Sequence, residues 1–168
     1  GVMNIQADDE PTALTPETNF TVLRVKRDIL RRSTIGAMFT NRSVSVGRTG
    51  ANQAYGVDAA FSFYQNLNLG AYWARTHSPG LDRDHDSYQA KLDYAADRYG
   101  ARVEYLRVGD NFNPEVGFVR RDDFKRSFVQ LRFSPRPAAS RWVRKYSYQG
   151  SLDYIESGAG LLETRQQT

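Results

Sequence analysis

Every second residue of AYGVDAAFSFYQNLNLGAYWAR, Ala54 to Arg75, belongs to one of two sets. Tyr55, Val57, Ala59, Phe61 and Phe63 form an apolar, aromatic set, and Ala54, Gly56, Asp58, Ala60 and Ser62 a small, polar one. The alternation resumes with Leu67, Leu69, Ala71 and Trp73 against Asn68, Gly70, Tyr72 and Ala74. Successive side chains of a strand point to opposite faces, so a period of two predicts β-strands with one greasy face. The same period recurs along the chain, and helical spacing is hard to find. It predicts strands near residues 2–7, 19–30, 33–41, 53–63, 67–76, 87–94, 99–108, 123–133, 142–156 and 160–166. The stretch Glu10-Pro11-Thr12 to Thr15-Pro16 reads as a loop, because proline cannot donate to a central ladder.

The links alternate short and long. Arg31-Arg32, Tyr64-Gln65-Asn66 and Ala95 to Arg98 are short; Ser43 to Asn52, Thr76 to Asp86 and Gly109 to Asp122 are long. An up-and-down antiparallel sheet with short links at one end and long links at the other is the arrangement of a transmembrane β-barrel. The fold class expected is therefore all-β, an up-and-down antiparallel barrel of about ten strands or a fragment of one, in one domain over residues 1–168.

Periodicity leaves the solvent of each face open. In a bilayer the greasy set points out to lipid and the polar set lines the interior. In a soluble ligand-binding barrel the assignment reverses. Tyr64, Trp73, Tyr94, Tyr99 and Trp142 sit near predicted strand ends, where amphipathic rings belong if hydrocarbon meets headgroups. The polar sets carry charges such as Asp58, Lys91, Arg102, Glu104 and Asp153, which suit a wet lumen. The expected reading is lipid outside and water inside, with Val57, Ala59, Phe61 and Phe63 outward and Asp58 inward.

Composition narrows the classes. The chain has 168 residues, no cysteine, 23 Lys and Arg against 19 Asp and Glu, and two histidines. Absence of cysteine removes disulfides and thiolate metal sites. The formal charge of +4 invites a nucleic-acid reading. Acids interleave with bases on the same strands, however, and a nucleic-acid footprint needs one sign; no nucleic-acid partner is expected. The chain opens on Gly1-Val2-Met3 with no charged-then-apolar leader, so a secreted form is expected to be mature or cut from something longer.

Candidate chemistry is sparse, and the chain leans away from an enzyme. Asp82, Asp84 and Asp86 alternate in HSPGLDRDHDS, but the later Gly and Glu of a calcium loop are missing. They are weak metal candidates and no metal site is assigned. His77-Ser78 and His85 raise an outer-membrane hydrolase, yet neighbours in a loop do not make a nucleophile and base converge; no catalytic residue is assigned. Gly47, Gly50 and Gly80 read as turn glycines, and no cofactor is expected. The dense loop with Asp110, Asn113, Glu115, Arg120 and Arg121 is the candidate binding segment, for a sugar or as an inward-folded plug.

Three pieces, FTVLRVKRDILRRSTIGAMFTNR (Phe20–Arg42), NQAYGVDAAF (Asn52–Phe61) and GDNFNPEVGFVRRDDF (Gly109–Phe124), carry a resemblance. In this order they resemble the uncharacterised C-terminal β-barrel domain of bacterial outer-membrane proteins that often carry an N-terminal family-9-type carbohydrate-binding module. The Asn113 to Arg121 piece is the most specific. The resemblance implies an outer-membrane scaffold or porin-like pore with a link to glycan-related cargo, and supplies no catalytic residue. The carbohydrate-binding module is absent, and the chain ends Arg165-Gln166-Gln167-Thr168 without the terminal aromatic common in such barrels. A fragment of a larger barrel is therefore the expectation.

Overall fold

The computed structural model describes residues 1–168 except Ala13, Arg48, Asp82 and residues 138–141. Ten strands follow one another in a single antiparallel sheet, in sequence order. They are β1 (Val2–Ala7), β2 (Thr18–Ile29), β3 (Ser33–Arg42), β4 (Asn52–Phe63) and β5 (Leu67–His77), then β6 (Asp86–Ala95), β7 (Tyr99–Val108), β8 (Phe124–Phe133), β9 (Tyr148–Ser157) and β10 (Leu162–Gln167). No helix occurs among the described residues, and the fold class expected from the alternation is the one found. The sheet is open: each strand pairs only with its sequence neighbours, and β1 does not pair with β10.

The antiparallel order puts turns 30–32, 64–66 and 96–98 at one end, the turn end. Segments 8–17, 43–51, 78–85 and 109–123 lie at the other, the loop end. This is the predicted division up to β8. It then reverses. The long connection 134–147 lies at the turn end, and 158–161 at the loop end is short. The ninth strand starts at Tyr148 rather than at 142, so Trp142 and Tyr146 sit in the connection and not in a strand. Pro135 and Pro137 explain the late start, since proline cannot supply the ladder donors a strand needs. Tyr146 still stacks on Tyr148, with ring centroids 6.4 Å apart.

The two faces keep the division read from sequence. Asp58 pairs with Gly36 and Tyr72 in register, and its carboxylate meets the Arg24 guanidinium at 2.5 Å. Farther along the same face Arg126 bonds Asp153 at 2.6 Å and reaches Glu104 at 3.4 Å, Gln89 donates to Glu104 at 2.9 Å, and Arg102 bonds Asp93 at 2.8 Å. Gly36 makes room for this row. A Cβ there would lie 2.7 Å from the Arg24 guanidinium.

The opposite face is apolar and uncovered. Val57, Val103, Leu131 and Tyr148 are all exposed on it. Among the described residues only Ala54 and Val108 are buried hydrophobics. A soluble domain of this length buries a real core; here the large apolar side chains stand on the outside of a single layer.

The apolar residues of that face form a slab that runs obliquely across the ladder. At the loop-end side its edge is Phe39 on β3 and Tyr55 on β4, which are register partners. Tyr55 pairs with Arg75, and Arg75 with Asp86, so on β5 and β6 the edge has moved two residues toward the turn end, to Trp73 and Tyr88. Tyr88 pairs with Arg107, and on β7 the edge has moved two more, to Tyr105. The turn-end edge slopes likewise, from Val25 and Ile35 on β2 and β3 to Tyr99, Phe133 and Tyr148 on β7 to β9. A shift of four residues, ~13 Å, over four strand spacings, ~19 Å, is a slope of roughly 35°. Between the aromatic edges lie Ala59, Ala71, Ala90, Leu92, Val103, Val129 and Leu152.

At the turn end, Asp97 accepts from Arg136 at 2.8 Å and from Lys145 at 3.3 Å, and so ties the 134–147 connection to the 96–98 turn. Arg136, then Lys145, hold the Asp97 carboxyl below the usual carboxylate range. A carboxylate depressed on folding contributes stability that is present above its unfolded value, near ~3.9, and is lost as pH falls through the folded value. Acidification should therefore free the connection only below about pH 4. Fluorescence anisotropy of Trp142 in a Trp73→Phe background should drop in that range, and Asp97→Asn should show the lower value already at neutral pH.

Candidate functional site

The segment 109–123 does not stand clear of the sheet. It folds back over the Asp58 face as a strap. Its first anchor is backbone: Gly109 donates to the Asp86 carbonyl at 2.9 Å and Asn111 to the Asp84 carbonyl at 3.1 Å. Gly109 is needed here because a Cβ would fall 2.0 Å from the Asp84 carbonyl oxygen. The second anchor is Asn52, fully buried at the start of β4. Its side-chain amide donates to Ser78 Oγ at 2.6 Å and to the Asn113 carbonyl at 2.8 Å. Its oxygen accepts from the Glu115 backbone at 3.0 Å. The buried Thr76 hydroxyl accepts from the Asn113 amide at 3.1 Å and donates to the Asn111 carbonyl at 3.3 Å. Gly117 closes a turn onto the Pro114 carbonyl at 2.9 Å.

Of the sequence candidates in this segment, Glu115 is a third anchor. Its carboxylate accepts from the Val46 amide at 2.9 Å and from Arg42 at 3.3 Å, so it joins the strap to the 43–51 loop. Asn113 works through its backbone. Arg120 and Arg121 precede β8 rather than lying within a strand. Arg121 pairs with Glu163 of β10, not with Glu115 or Asp122, and its guanidinium covers the Phe124 ring at 5.1 Å. Asp110 and Arg120 are exposed and make no side-chain bond among the described residues. They remain free to meet a solute. The residues that sequence reading missed are Asn52, Thr76 and Ser78. The one signal for them was small polar residues where a strand meets a long loop.

The apolar side chains of the strap lie over the polar face of the sheet. Phe112 and Phe118 divide two grooves. One, of about 530 Å³, lies toward Arg24, Thr40, Asp58 and Tyr72. The other, of about 690 Å³, lies toward Ser87, Leu106, Arg120 and Ile155. Phe118 is 88 % exposed, held over the polar face with no cover of its own.

The remaining candidates are accounted for by structure. Asp86 is held by Arg75 in a two-pronged pair at 2.6 and 2.8 Å, and Asp84 by Arg107 at 2.9 Å. Asp82 lies outside the described residues. No group of three metal-binding side chains forms among the described residues. His77 sits on the greasy face opposite Gln53, while Ser78 Oγ is taken by Asn52. Among the described residues no hydrogen bond joins Ser78 to either histidine, so the paired nucleophile and base of a hydrolase are not assembled.

No protein-family model, curated protein or solved structure matches the chain.

Asn52→Ala should leave the Asn113 carbonyl and Glu115 amide without their side-chain partner and loosen the strap, at a cost of about 1–3 kcal/mol for the segment. Limited trypsin digestion reads this directly, as faster cleavage after Arg120 and Arg121 than in the unaltered chain. Equal cleavage rates would show that Asn52 is not the anchor.

Proposed function

We propose that this chain is part of the wall of an outer-membrane β-barrel, serving as a scaffold or pore whose interior is narrowed by the 109–123 strap. The slope of the apolar slab carries this reading. A bilayer is flat and the strands of a membrane barrel are tilted by ~35–45°, so the lipid-facing band must cross the ladder at that angle. The slab on this sheet does so, at roughly 35°. On β4 it spans Tyr55 to Phe63, nine residues, the length of a tilted membrane strand. Rings sit at both edges, where amphipathic aromatics are favoured. The strands of a soluble barrel are tilted as well, but its apolar face would point inward, and the strap, which lies against the polar face, would then sit outside the barrel.

The opposite face suits a wet interior. Several of its charges are matched in pairs within the sheet, and its strap is fastened by polar bonds of the buried Asn52 at the loop end. Phe112 and Phe118 make the apolar part of the constriction. Glycan-related cargo is the expectation that the family resemblance adds. Phe118, with Asp110 and Arg120 free in the same segment, supplies a ring, an acid and a base of the kind a sugar would meet.

Substitutions on adjacent residues of β4 test the facing. Ala59→Arg should cost about 2–4 kcal/mol in refolding into bilayers if it lies near the midplane. Asp58→Asn should cost far less, since a hydrated interior accepts either group. Equal tolerance at the two positions in vesicles would overturn the membrane reading.

A further inference from the structure

The slab is not smooth. On β3 to β5 its side chains shrink to Ala37, Ala59 and Ala71, while Val25, Ile35 and Trp73 stand around them. The result is an apolar alcove of about 680 Å³ on the greasy face. Arg27 of β2 closes its turn-end side. Its register partner is Ile35, so it shares the greasy face. It lies where the slab ends on β2, just beyond Val25, at the level of a headgroup if the slab is hydrocarbon. It is exposed and has no ion pair among the described residues, whereas most arginines of the other strands, such as Arg42, Arg75 and Arg102, are paired. Arg31 and Arg32 follow in the adjoining turn but do not line the alcove, and Arg32 donates to the Tyr64 carbonyl at 3.4 Å, so Arg27 is the cation of the site.

From this juxtaposition we infer that the alcove is a binding site for one anionic glycerophospholipid. An acyl chain lies over Ala37, Ala59 and Ala71, and the phosphate meets Arg27. The occupant follows from the two ends of the site. A neutral lipid would fill the alcove but leave Arg27 unmatched. A soluble anion would satisfy Arg27 but leave the apolar floor in water. A juxtamembrane base attracts an anionic lipid, and the depression supplies the apolar area that fixes a chain. The inference rests on the proposed membrane facing of the slab.

Trp73 lines the alcove and reports on it. With Trp142→Phe it is the single tryptophan. The protein is refolded into phosphatidylcholine vesicles doped with either phosphatidylglycerol or phosphatidylcholine carrying brominated acyl chains, which quench indole on contact. Half-maximal quenching should come at an about fivefold lower mole fraction of the brominated phosphatidylglycerol, the effect expected of one basic side chain at an anionic headgroup. Arg27→Gln should merge the two curves and Arg27→Lys should keep them apart. Ala59→Leu, which fills the alcove with apolar atoms, should also merge them. Coincident curves for the protein with Arg27 intact would overturn the site while leaving Trp73 in lipid and the membrane reading standing. Absence of quenching by either lipid would overturn that reading, and the site with it.

Discussion

A single sheet has two faces and no second layer to bury either of them. That constraint governs this molecule. The ladder hydrogen bonds join ten strands edge to edge, but they bring no apolar side chain out of contact with the surroundings. Hydrophobic burial, the dominant favourable contribution in folding, must then come from whatever lies against the greasy face. Ala54 and Val108, the buried hydrophobics among the described residues, are both on the other face, under the strap. The strength of the fold is therefore tied to what lies against that face, which in the proposed reading is a bilayer.

The polar face solves the complementary problem. Charged side chains there are affordable because they are paired within the sheet, Arg24 with Asp58 and Arg126 with Asp153 and Glu104. Pairing occupies these charges within the sheet, and the proposed binding role falls instead to the strap. There, Glu115 and the backbone of Asn113 are anchored, while Phe112 and Phe118 line the two grooves over the polar face. Asn52 makes this division possible, since one buried amide satisfies both a carbonyl and an amide of the strap as well as Ser78.

The open edges matter in the same way. In hydrocarbon an unpaired strand edge leaves backbone donors and acceptors without partners, each costing several kcal/mol. β1 and β10 carry Asn4, Gln6, Arg165 and Gln167 toward the greasy side, where β4 to β9 carry apolar residues. The slab therefore thins out where the sheet ends. Asn4 bonds Asn19 at 2.9 Å and Thr21 at 2.8 Å, a polar cluster above the slab on β1 and β2.

Alternation by itself determined the strands, their antiparallel order and the membership of each face, because a period of two is a local property of the extended chain. It placed Val57 with Phe61 and Asp58 with Ala60 before any partner was known. It failed at residues 142–147, where Trp142 and Tyr146 continue the alternation of Tyr148 but Pro135, whose carbonyl still accepts from Tyr146, and Pro137 lack the N–H that a ladder needs. Tertiary structure alone decided what period cannot carry. The slope of the slab exists only in the register between strands. The fastening of the strap joins Asn52 to Asn113 and Glu115 across about sixty residues. The choice of Arg42, rather than Arg120 or Arg121, as the partner of Glu115 followed from which strand ends meet at the loop end. Sequence records the preference of each residue for a face; only the assembled sheet brings distant residues within the few ångströms at which hydrogen bonds and ion pairs act.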